Sequence, residues 1–173
     1  METKFVLIAA MGRNSVIGNG LKLPWGRLPV DWEWFLGHTI NQTLIVGGVT
    51  WRAMGAKALP NRFTIVITRH PENIKPADNV LVVGGVEEAI LACNGKSRVF
   101  ICGGQQIYEL FLALAEEILL TEIDYEFEGD VFFPDFDRTK WKPVCLAMHR
   151  ADRVNKYSCK MYSFVRLPVE AKV

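Results

Sequence analysis

The stretch RVFICGGQQIY, residues 98–108, decides the fold. Residues 98–102 are rich in Val, Ile and Phe, as expected of a strand that is buried on both faces. Two glycines interrupt this run, and residues 105–115 then have the apolar spacing of a helix. Such strand, turn and helix units build α/β proteins, in which right-handed crossovers join parallel strands.

The same alternation extends outward from this stretch. Further apolar runs predict strands over residues 5–11, 43–46, 63–68 and 79–83, and helices are expected over 29–39, 50–54 and 86–93. Residues 118–124, 144–149 and 157–166 indicate strands without intervening helices, which favours an antiparallel edge. We therefore predict an α/β fold with one mixed, mainly parallel twisted sheet flanked by helices. No repeat, low-complexity tract or linker divides the chain, so a single domain is expected over residues 1–173.

Composition excludes several classes of protein. The chain has 20 Lys and Arg against 19 Asp and Glu, a net charge of +1, and no run of one sign that would follow phosphates or an anionic membrane. Its longest apolar stretch, residues 5–11, is far shorter than the ~20 residues that cross a bilayer, and no signal-peptide cleavage site follows it. The four cysteines form no CxxC pair and the three histidines have no zinc spacing. We expect free thiols in a reducing cytoplasm, no metal site and no nucleic-acid partner.

Ligands of open α/β sheets bind at the carboxyl ends of strands, where the chain continues into a helix. The connections at these ends are therefore the candidate sites. The connection after the first strand, residues 12–26, contains glycines together with the large side chains of Leu23 and Trp25. Such a loop is suited to folding over a ligand, although a glycine-rich surface connection is the alternative.

Asp31 is the most informative titratable residue. If a helix begins at Pro29, Asp31 and Phe35 are four residues apart and share a face. A carboxylate partly withdrawn from water has a raised pKa and can bind a protonatable heterocycle. The alternative is a first-turn acid that interacts favourably with the helix dipole.

Three other features suggest ligand contacts. Gly103 and Gly104 allow close approach of a diphosphate to a helix N-terminus, but no GxGxxG fingerprint is present and a plain turn is the alternative. Thr121 alternates with apolar strand residues, so its hydroxyl needs an internal partner unless it is an ordinary strand residue. Arg62 follows a Leu-Pro-Asn turn and has the geometry to clamp a carboxylate, although a surface Arg is the alternative.

Taken in order from about Phe5 to Arg166, these segments resemble dihydrofolate reductase. The residues that carry the resemblance are Ile8-Ala9-Ala10, Val16-Ile17-Gly18, Leu23-Pro24-Trp25, Leu28-Pro29-Val30-Asp31, Gly47 to Trp51, Leu59-Pro60-Asn61-Arg62, Gly103-Gly104 with Ile107-Tyr108, and Glu128-Gly129-Asp130 with Phe133-Pro134. An Asp at position 31 is similar to the bacterial or phage type. The resemblance implies a monomeric NADPH-dependent enzyme that reduces dihydrofolate to tetrahydrofolate for one-carbon metabolism.

The resemblance also implies roles on the substrate side. Asp31 would hold the pteridine ring through its amino group and ring nitrogen, and would promote protonation of the imine before hydride transfer. The backbone carbonyl of Ile8 and the hydroxyl of Thr121 would complete the pteridine hydrogen bonds. The remaining substrate residues would be Leu28 and Phe35 at the aromatic middle of folate and Arg62 at its glutamate carboxylate.

On the cofactor side, the resemblance implies a cis peptide between Gly103 and Gly104 and a loop with Leu23 at its tip that closes over the nicotinamide. The implied cofactor-binding residues are Ala10, Ile17, Gly18, Asn19, Leu23, Val49, Thr50, Thr68, Arg69, Cys102, Gly103, Gly104, Gln105, Gln106 and Tyr108.

The chain departs from the family at the site of the adenosine 2′-phosphate. Gly48 stands where most members have Arg, and Gln106 replaces an Arg of some members, whereas Thr68-Arg69 matches the other edge of that site. We therefore predict NADPH with looser discrimination against NADH than is usual. Cys102, where larger aliphatic residues are common, helps to shape the pocket, so the sequence allows reduced sensitivity to trimethoprim.

Two other hypotheses about the function of the chain remain. The related reductase domain of riboflavin biosynthesis would not be expected to carry Leu-Pro-Trp followed by Pro-Val-Asp. A catalytically silent dinucleotide-binding module would not be expected to retain Asp31, Arg62 and Thr121 together.

Overall fold

The computed structural model describes residues 2–168. Within them the strands are β1 (Lys4–Gly12), β2 (Val16–Gly18), β3 (Thr43–Gly47), β4 (Phe63–Ile67), β5 (Val80–Val83), β6 (Arg98–Ile101), β7 (Glu117–Ile123), β8 (Val131–Phe132), β9 (Trp141–His149) and β10 (Cys159–Arg166). The α-helices of the same residues are α1 (Pro29–Thr39), α2 (Gly48–Ala53), α3 (Val86–Ala92) and α4 (Gln105–Leu112). Short 3₁₀ turns cover Pro71–Asn73 and Arg138–Lys140.

Eight strands form one sheet in the order β5-β4-β3-β6-β1-β7-β10-β9. Neighbours from β5 to β7 pair in parallel, while β10 pairs antiparallel with both β7 and β9. The predicted mixed sheet with an antiparallel C-terminal edge is therefore confirmed. Inner strands such as β1 bury Val6 and Leu7 completely, because helices or loops cover both faces of the sheet.

The predicted and observed ends of helices and strands agree best where an apolar pattern extends over many residues. The helix predicted over 29–39 has those bounds, whereas the helix predicted over 50–54 begins at Gly48, directly after β3. The chain passes directly from β3 into α2, and a Cβ at Gly47, the last residue of β3, would lie 2.9 Å from Ile107 Cγ1, so only glycine fits there. The helix predicted over 105–115 ends at Leu112, and the strand predicted over 144–149 begins at Trp141.

The sequence did not predict β2 and β8, which pair antiparallel as a separate two-stranded sheet. Gly129 lies against this pair, and a Cβ there would collide with the Gly18 carbonyl and the Val16 side chain. The close approach lets the Asp130 N–H donate to the Gly18 carbonyl oxygen at 3.1 Å. This pair of short strands therefore fixes the start of the long loop that leads to α1.

The described residues form no helix long and apolar enough to span a membrane. All four cysteines are free thiols, as expected, with Cys93 and Cys159 buried. The predicted single domain includes residues 1 and 169–173, which lie outside the described residues.

Candidate active site

A cleft of about 740 Å³ opens at the carboxyl ends of β1 and β6, between α1 and α2. Its floor is apolar, since Phe35, Leu59 and Cys102 pack against the buried side chains of the sheet. Its lining comes from β1, the loop after β2, α1, α2, and the turn between β6 and α4: Ile8, Ala9, Ala10, Ile17, Gly18, Gly20, Leu21, Lys22, Leu23, Trp25, Gly26, Asp31, Trp32, Trp34, Phe35, Val49, Thr50, Ala53, Met54, Leu59, Cys102, Gly103, Gly104, Tyr108 and Val131.

Asp31 places a carboxyl group on the wall of this cleft, in the first turn of α1. Loss of hydration raises the pKa of Asp31 from 3.8 to about 6, and the nearby Thr121 hydroxyl limits that rise. Thr121 is fully buried, and its Oγ1 meets no partner within strict hydrogen-bond geometry among residues 2–168. The Thr121 hydroxyl thus has unused hydrogen-bonding capacity beside a carboxyl group that titrates near neutral pH.

The Tyr108 hydroxyl lies at the base of the cleft and donates to the Ile8 carbonyl oxygen at 2.8 Å. That oxygen keeps a second lone pair, so it can accept another hydrogen bond from the cleft. Burial, the largest cause, raises the pKa of Tyr108 well above 10, and the nearby Cys102 and Asp31 add to the rise. Tyr108 therefore stays protonated and remains a donor at any ordinary pH.

Gly103 and Gly104 form the turn between β6 and α4, and the peptide bond between them is cis, as the resemblance implies. The Gly47 N–H donates to the Gly103 carbonyl oxygen at 2.7 Å, which joins this turn to the end of β3. A Cβ at Gly103, where φ is +98°, would lie 2.9 Å from Tyr108 Cε2, and one at Gly104 would lie 3.3 Å from Thr50 Oγ1. Only backbone fits at this turn, which leaves its surface open to the cleft.

The loop after β2 covers the other side of the cleft. The N–H and carbonyl groups of Asn19 and Lys22 bond each other, and the Gly20 N–H donates to Asp130 Oδ1 at 2.9 Å. Leu23 lines the cleft while half exposed, whereas Trp25 is buried against Phe127. The loop is thus anchored at both ends and presents an apolar tip to the cleft.

Three residues predicted to contact substrate are outside the cleft lining: Leu28, Arg62 and Thr121. Leu28 packs in a buried cluster with Trp25 and Met161 and is absent from the cleft lining, because it precedes α1 and turns into the core. The neighbouring helical residue Trp32 lines the cleft instead and stacks on Phe35, with ring centroids 5.4 Å apart.

Arg62 is 8% exposed and lies outside the cleft lining. Its Nη1 donates to the Pro60 carbonyl oxygen and its Nη2 to the Leu36 carbonyl oxygen, each at 2.8 Å, and Nε and Nη2 also face Thr39 Oγ1. Within residues 2–168 no carboxylate pairs with this guanidinium. Arg62 therefore binds the C-terminal end of α1 and keeps an unneutralised charge there.

Val49 and Thr50 line the cleft at α2, and Gly48 lies beside Thr68, since a Cβ at Gly48 would be 3.1 Å from Thr68 Oγ1. Arg69 is exposed next to it. Three more predicted cofactor residues, Asn19, Gln105 and Gln106, are also outside the lining. Asn19 lies in the turn of the loop after β2, and Gln106 is exposed. The Gln105 side chain donates to Glu109 Oε1 and accepts from the Phe132 N–H.

A family model described as dihydrofolate reductase matches residues 4–166. The chain belongs to the dihydrofolate reductase family. A dihydrofolate reductase of Neisseria meningitidis serogroup A is 36% identical over 162 residues, which cover 94% of this chain and 96% of that protein. The Bacillus subtilis dihydrofolate reductase is 35% identical over 150 residues, 87% of each chain.

A solved structure of dihydrofolate reductase from Enterococcus faecalis, complexed with NADP(H) and RAB-propyl, superposes with a TM-score of 0.86. It is 34% identical in sequence, and the match covers 94% of this chain and 96% of that chain. These comparisons confirm the predicted fold and the predicted enzyme, an oxidoreductase of the dihydrofolate reductase family.

Sequence reasoning missed Trp32 and Leu59 as lining residues of this cleft. Trp32 and Phe35 are three residues apart, a spacing that brings side chains together on a helix, so the signal was present in the sequence. Leu59 belongs to the Leu-Pro-Asn-Arg turn, and nothing in its local pattern separates a lining residue from a core residue.

Proposed function

We propose that the chain reduces 7,8-dihydrofolate to 5,6,7,8-tetrahydrofolate in this cleft, with NADPH as the reductant. The observation that carries this proposal is the Asp31 carboxyl, whose pKa is raised to about 6 within a largely apolar cleft. Membership of the dihydrofolate reductase family and the similarity to a relative with NADP(H) bound support the choice of substrate and cofactor. The product supplies one-carbon units for thymidylate and purine synthesis.

Asp31 is the residue proposed for catalysis. Its carboxyl holds the amino group and ring nitrogen of the pteridine, and it promotes protonation of the imine nitrogen, the atom that must gain a proton. A group with a pKa of about 6 is protonated in a useful fraction near neutral pH, which suits this task. The buried Thr121 hydroxyl beside Asp31 and the second lone pair of the Ile8 carbonyl oxygen supply the remaining polar contacts of the ring.

The aromatic middle of the substrate is assigned to Phe35, with Trp32 taking the place predicted for Leu28. The stacked pair of Trp32 and Phe35 offers a flat apolar wall for an aromatic ring. Arg62 is assigned to the glutamate carboxylate, and its unneutralised charge at the end of α1 supports this role.

The residues present fit a dinucleotide. The Gly103-Gly104 turn has no room for side chains, as a diphosphate-binding backbone requires, and Thr50 lies beside it. NADPH, when bound, supplies the hydride. The chain contributes Ala10, Ile17, Gly18, Leu23 and Tyr108 around the reacting ends of both molecules, where the loop after β2 excludes water.

The adenosine end of NADPH is assigned to the edge formed by Val49, Thr68 and Arg69. Gly48 brings no charge to this edge, so one cation and one hydroxyl are left to recognise the 2′-phosphate. NADPH is preferred over NADH by a smaller margin than an additional Arg would give.

We also propose that the protein is a cytoplasmic monomer that binds no nucleic acid, and that residues 1–173 form one domain. The balanced charge of +1 supports the absence of a nucleic-acid partner. The edge strand β9 carries Lys142 and Pro143, and a bulge disrupts its register, which are features that oppose edge-to-edge pairing. Light scattering behind size-exclusion chromatography tests the monomer, which a dimer mass would contradict.

The test of the activity is the fall in NADPH absorbance when dihydrofolate is added to the purified protein, with NADH in a parallel cell. We expect rapid NADPH oxidation and slower, measurable NADH oxidation. If neither cofactor is consumed while NADPH still quenches the tryptophan fluorescence, the chain is a silent binding module and the proposed function is wrong.

A further inference from the structure

The helix that carries Asp31 begins without a cap of its own. Leu28 occupies the N-cap position and has no side-chain acceptor, and Pro29 has no N–H group. The N–H groups of Asp31 and Trp32 both donate to the Leu28 carbonyl oxygen at 3.1 Å. The Val30 N–H is therefore the donor of this first turn that needs a partner from outside the segment.

That partner is Asn155, in the loop between β9 and β10. Its Oδ1 accepts from the Val30 N–H at 2.9 Å across a sequence separation of 125 residues. Asn155 is 7% exposed, although the adjacent Val154 is 68% exposed, so the loop turns one side chain inward against α1. A buried amide at this place is a helix cap supplied by a distant part of the chain.

The rest of the loop holds Asn155 in position. Asp152 Oδ1 accepts from the N–H groups of Val154 at 2.7 Å and Asn155 at 2.6 Å, and Asp152 Oδ2 lies 2.9 Å from His149 Nε2. The backbone N–H of Asn155 is the main cause that lowers the pKa of Asp152 to about 2. The carboxylate therefore stays ionised across the working pH range and keeps the turn closed.

We propose that Asn155 is a positioning residue for Asp31. Asn155 caps α1 at Val30, the residue before Asp31, and keeps the first turn of the helix closed against water. The inference rests on the proposed function, since it concerns the helix that carries the catalytic group. If the cap is lost, the first turn of α1 frays, water reaches Asp31, and the carboxylate loses both its position and part of its desolvation.

The groups that face Asp31 make this effect measurable. Thr121 on β7 is a hydroxyl, and burial raises the pKa of Tyr108 on α4 well above 10 and that of Cys159 on β10 to about 11. These three stay neutral between pH 5 and 8, so Asp31 is the titrating group at this end of the cleft. His149 of the capping loop contacts Asp152 rather than α1, and His149→Gln checks that it does not produce the pH dependence.

The experiment compares Asn155→Ala, which removes the acceptor, with Asn155→Asp, which keeps an oxygen acceptor and adds a negative charge. Val154→Ala in the same loop is the control. For Asn155→Ala we expect kcat/KM for dihydrofolate to fall roughly fivefold, the ratio that corresponds to the free energy of an ordinary helix cap, with the Kd for NADPH unchanged. The pH midpoint of kcat should move down for Asn155→Ala, because Asp31 is better hydrated, and up for Asn155→Asp, because a like charge is nearby. Amide hydrogen exchange in residues 30–34 should accelerate in Asn155→Ala only.

The inference is overturned if both variants keep the wild-type pH midpoint and exchange rate, whatever their Tm, because Asn155 would then only stabilise the loop. If Asn155→Ala does not fold, hydrogen exchange of the Val30 amide in the wild-type protein decides the matter alone, and exchange as fast as in an unprotected amide overturns the inference. If the wild-type protein consumes no NADPH with dihydrofolate, the proposed function has failed, and the exchange data still show whether Asn155 caps α1.

Discussion

At the residue scale, the burial that raises the pKa of Asp31 also destabilises the fold at neutral pH. The pKa of its carboxyl is about 6 in the folded chain against an ordinary 3.8, so the folded state binds more protons between these values. The contribution of Asp31 to the stability of the protein therefore falls as the pH rises from about 4 through 6, as its carboxyl ionises.

Replacing Asp31 by Asn removes this cost. We expect Asp31→Asn to be more stable than wild type at pH 7.5, by about 3 kcal/mol at most, and to show no such gain below pH 4. Urea unfolding at the two pH values measures the difference. An equal effect of the substitution at both values would contradict the raised pKa.

The same substitution should nearly abolish turnover. Loss of the group proposed to promote imine protonation should lower kcat by a factor on the order of 10² to 10⁴, with the Kd for NADPH almost unchanged. Glu33→Gln, an exposed acid on the same helix, is the matched control and should keep wild-type kcat. Equal losses of kcat and of NADPH binding in Asp31→Asn would instead indicate a general structural role.

Gly48 offers a gain-of-function test of cofactor choice. Gly48→Arg brings a second cation to the edge formed by Thr68 and Arg69, and a charged hydrogen bond to the 2′-phosphate is worth about 1.5–3 kcal/mol. We therefore expect the ratio of kcat/KM for NADPH to that for NADH to rise at least tenfold. The NADH value is the internal control, and a ratio that does not change would show that this edge does not bind the phosphate.

Helical geometry decides which of the cleft residues can be predicted from the sequence. Asp31 and Phe35 are found together because i and i+4 side chains share a face, and both line the cleft. Leu28 precedes the first helical residue, so helical spacing says nothing about its direction, and the structure turns it into the core. The burial of Arg62 against backbone carbonyls depends on the distant end of α1, which no local pattern reveals.

At the scale of elements, the Asp130 carboxylate holds the start of the loop after β2. Asp130 accepts from the Gly20 N–H through Oδ1 and donates its own N–H to the Gly18 carbonyl oxygen. Asp130→Ala removes the first bond and leaves the second, so the loop should cover the cleft less often. We expect the rate of hydride transfer to fall roughly tenfold, as for a lost hydrogen bond to a charged group.

Asp135→Ala, another exposed acid of the same region, is the control for Asp130→Ala and should leave the rate unchanged. Stopped-flow absorbance measures both variants. If Asp130→Ala matched the control, the loop would not need this anchor for closure.

Element length decides which parts of the fold are predictable. The 11-residue α1 and the buried strands show clear periodicity, and their bounds agree with the prediction within a few residues. β2 and β8 have three and two residues, too few for any period to register, and their pairing depends on the close packing of Gly129. The loop that they fix was therefore predicted only as a segment suited to covering a ligand.

At the scale of the whole molecule, Glu117 joins β1, β6, β7 and β10 at the amino ends of the parallel strands, opposite the cleft. Its Oε2 lies 2.9 Å from Lys4 Nζ and 3.0 Å from Arg98 Nη2, and Oε1 accepts from Ser163 Oγ at 2.7 Å. Burial alone would raise the pKa of Glu117, but the bonds from Ser163 and Lys4 and the two positive charges lower it below 4.5.

Because the pKa of Glu117 is lowered by folding, its contribution to stability is present above pH 4.5 and is lost as the pH falls through the folded value. Glu117→Gln should lower the free energy of unfolding at pH 7 by about 1–3 kcal/mol, and the gap to wild type should narrow as the pH falls below 4.5. Thermal unfolding across this range measures it, with the exposed Glu116→Gln as control. A gap that did not narrow below pH 4.5 would mean that packing rather than charge is responsible.

The most direct test of the central claim is the rate of hydride transfer in a single turnover, measured from pH 5 to 9 with saturating NADPH and dihydrofolate. If Asp31 promotes imine protonation with a pKa of about 6, the wild-type rate is level below that pH and falls up to tenfold per unit above it. In Asp31→Asn the rate is far lower at every pH and the midpoint near 6 is gone. A wild-type rate that is flat from pH 5 to 8, or an unchanged midpoint in Asp31→Asn, would contradict the account.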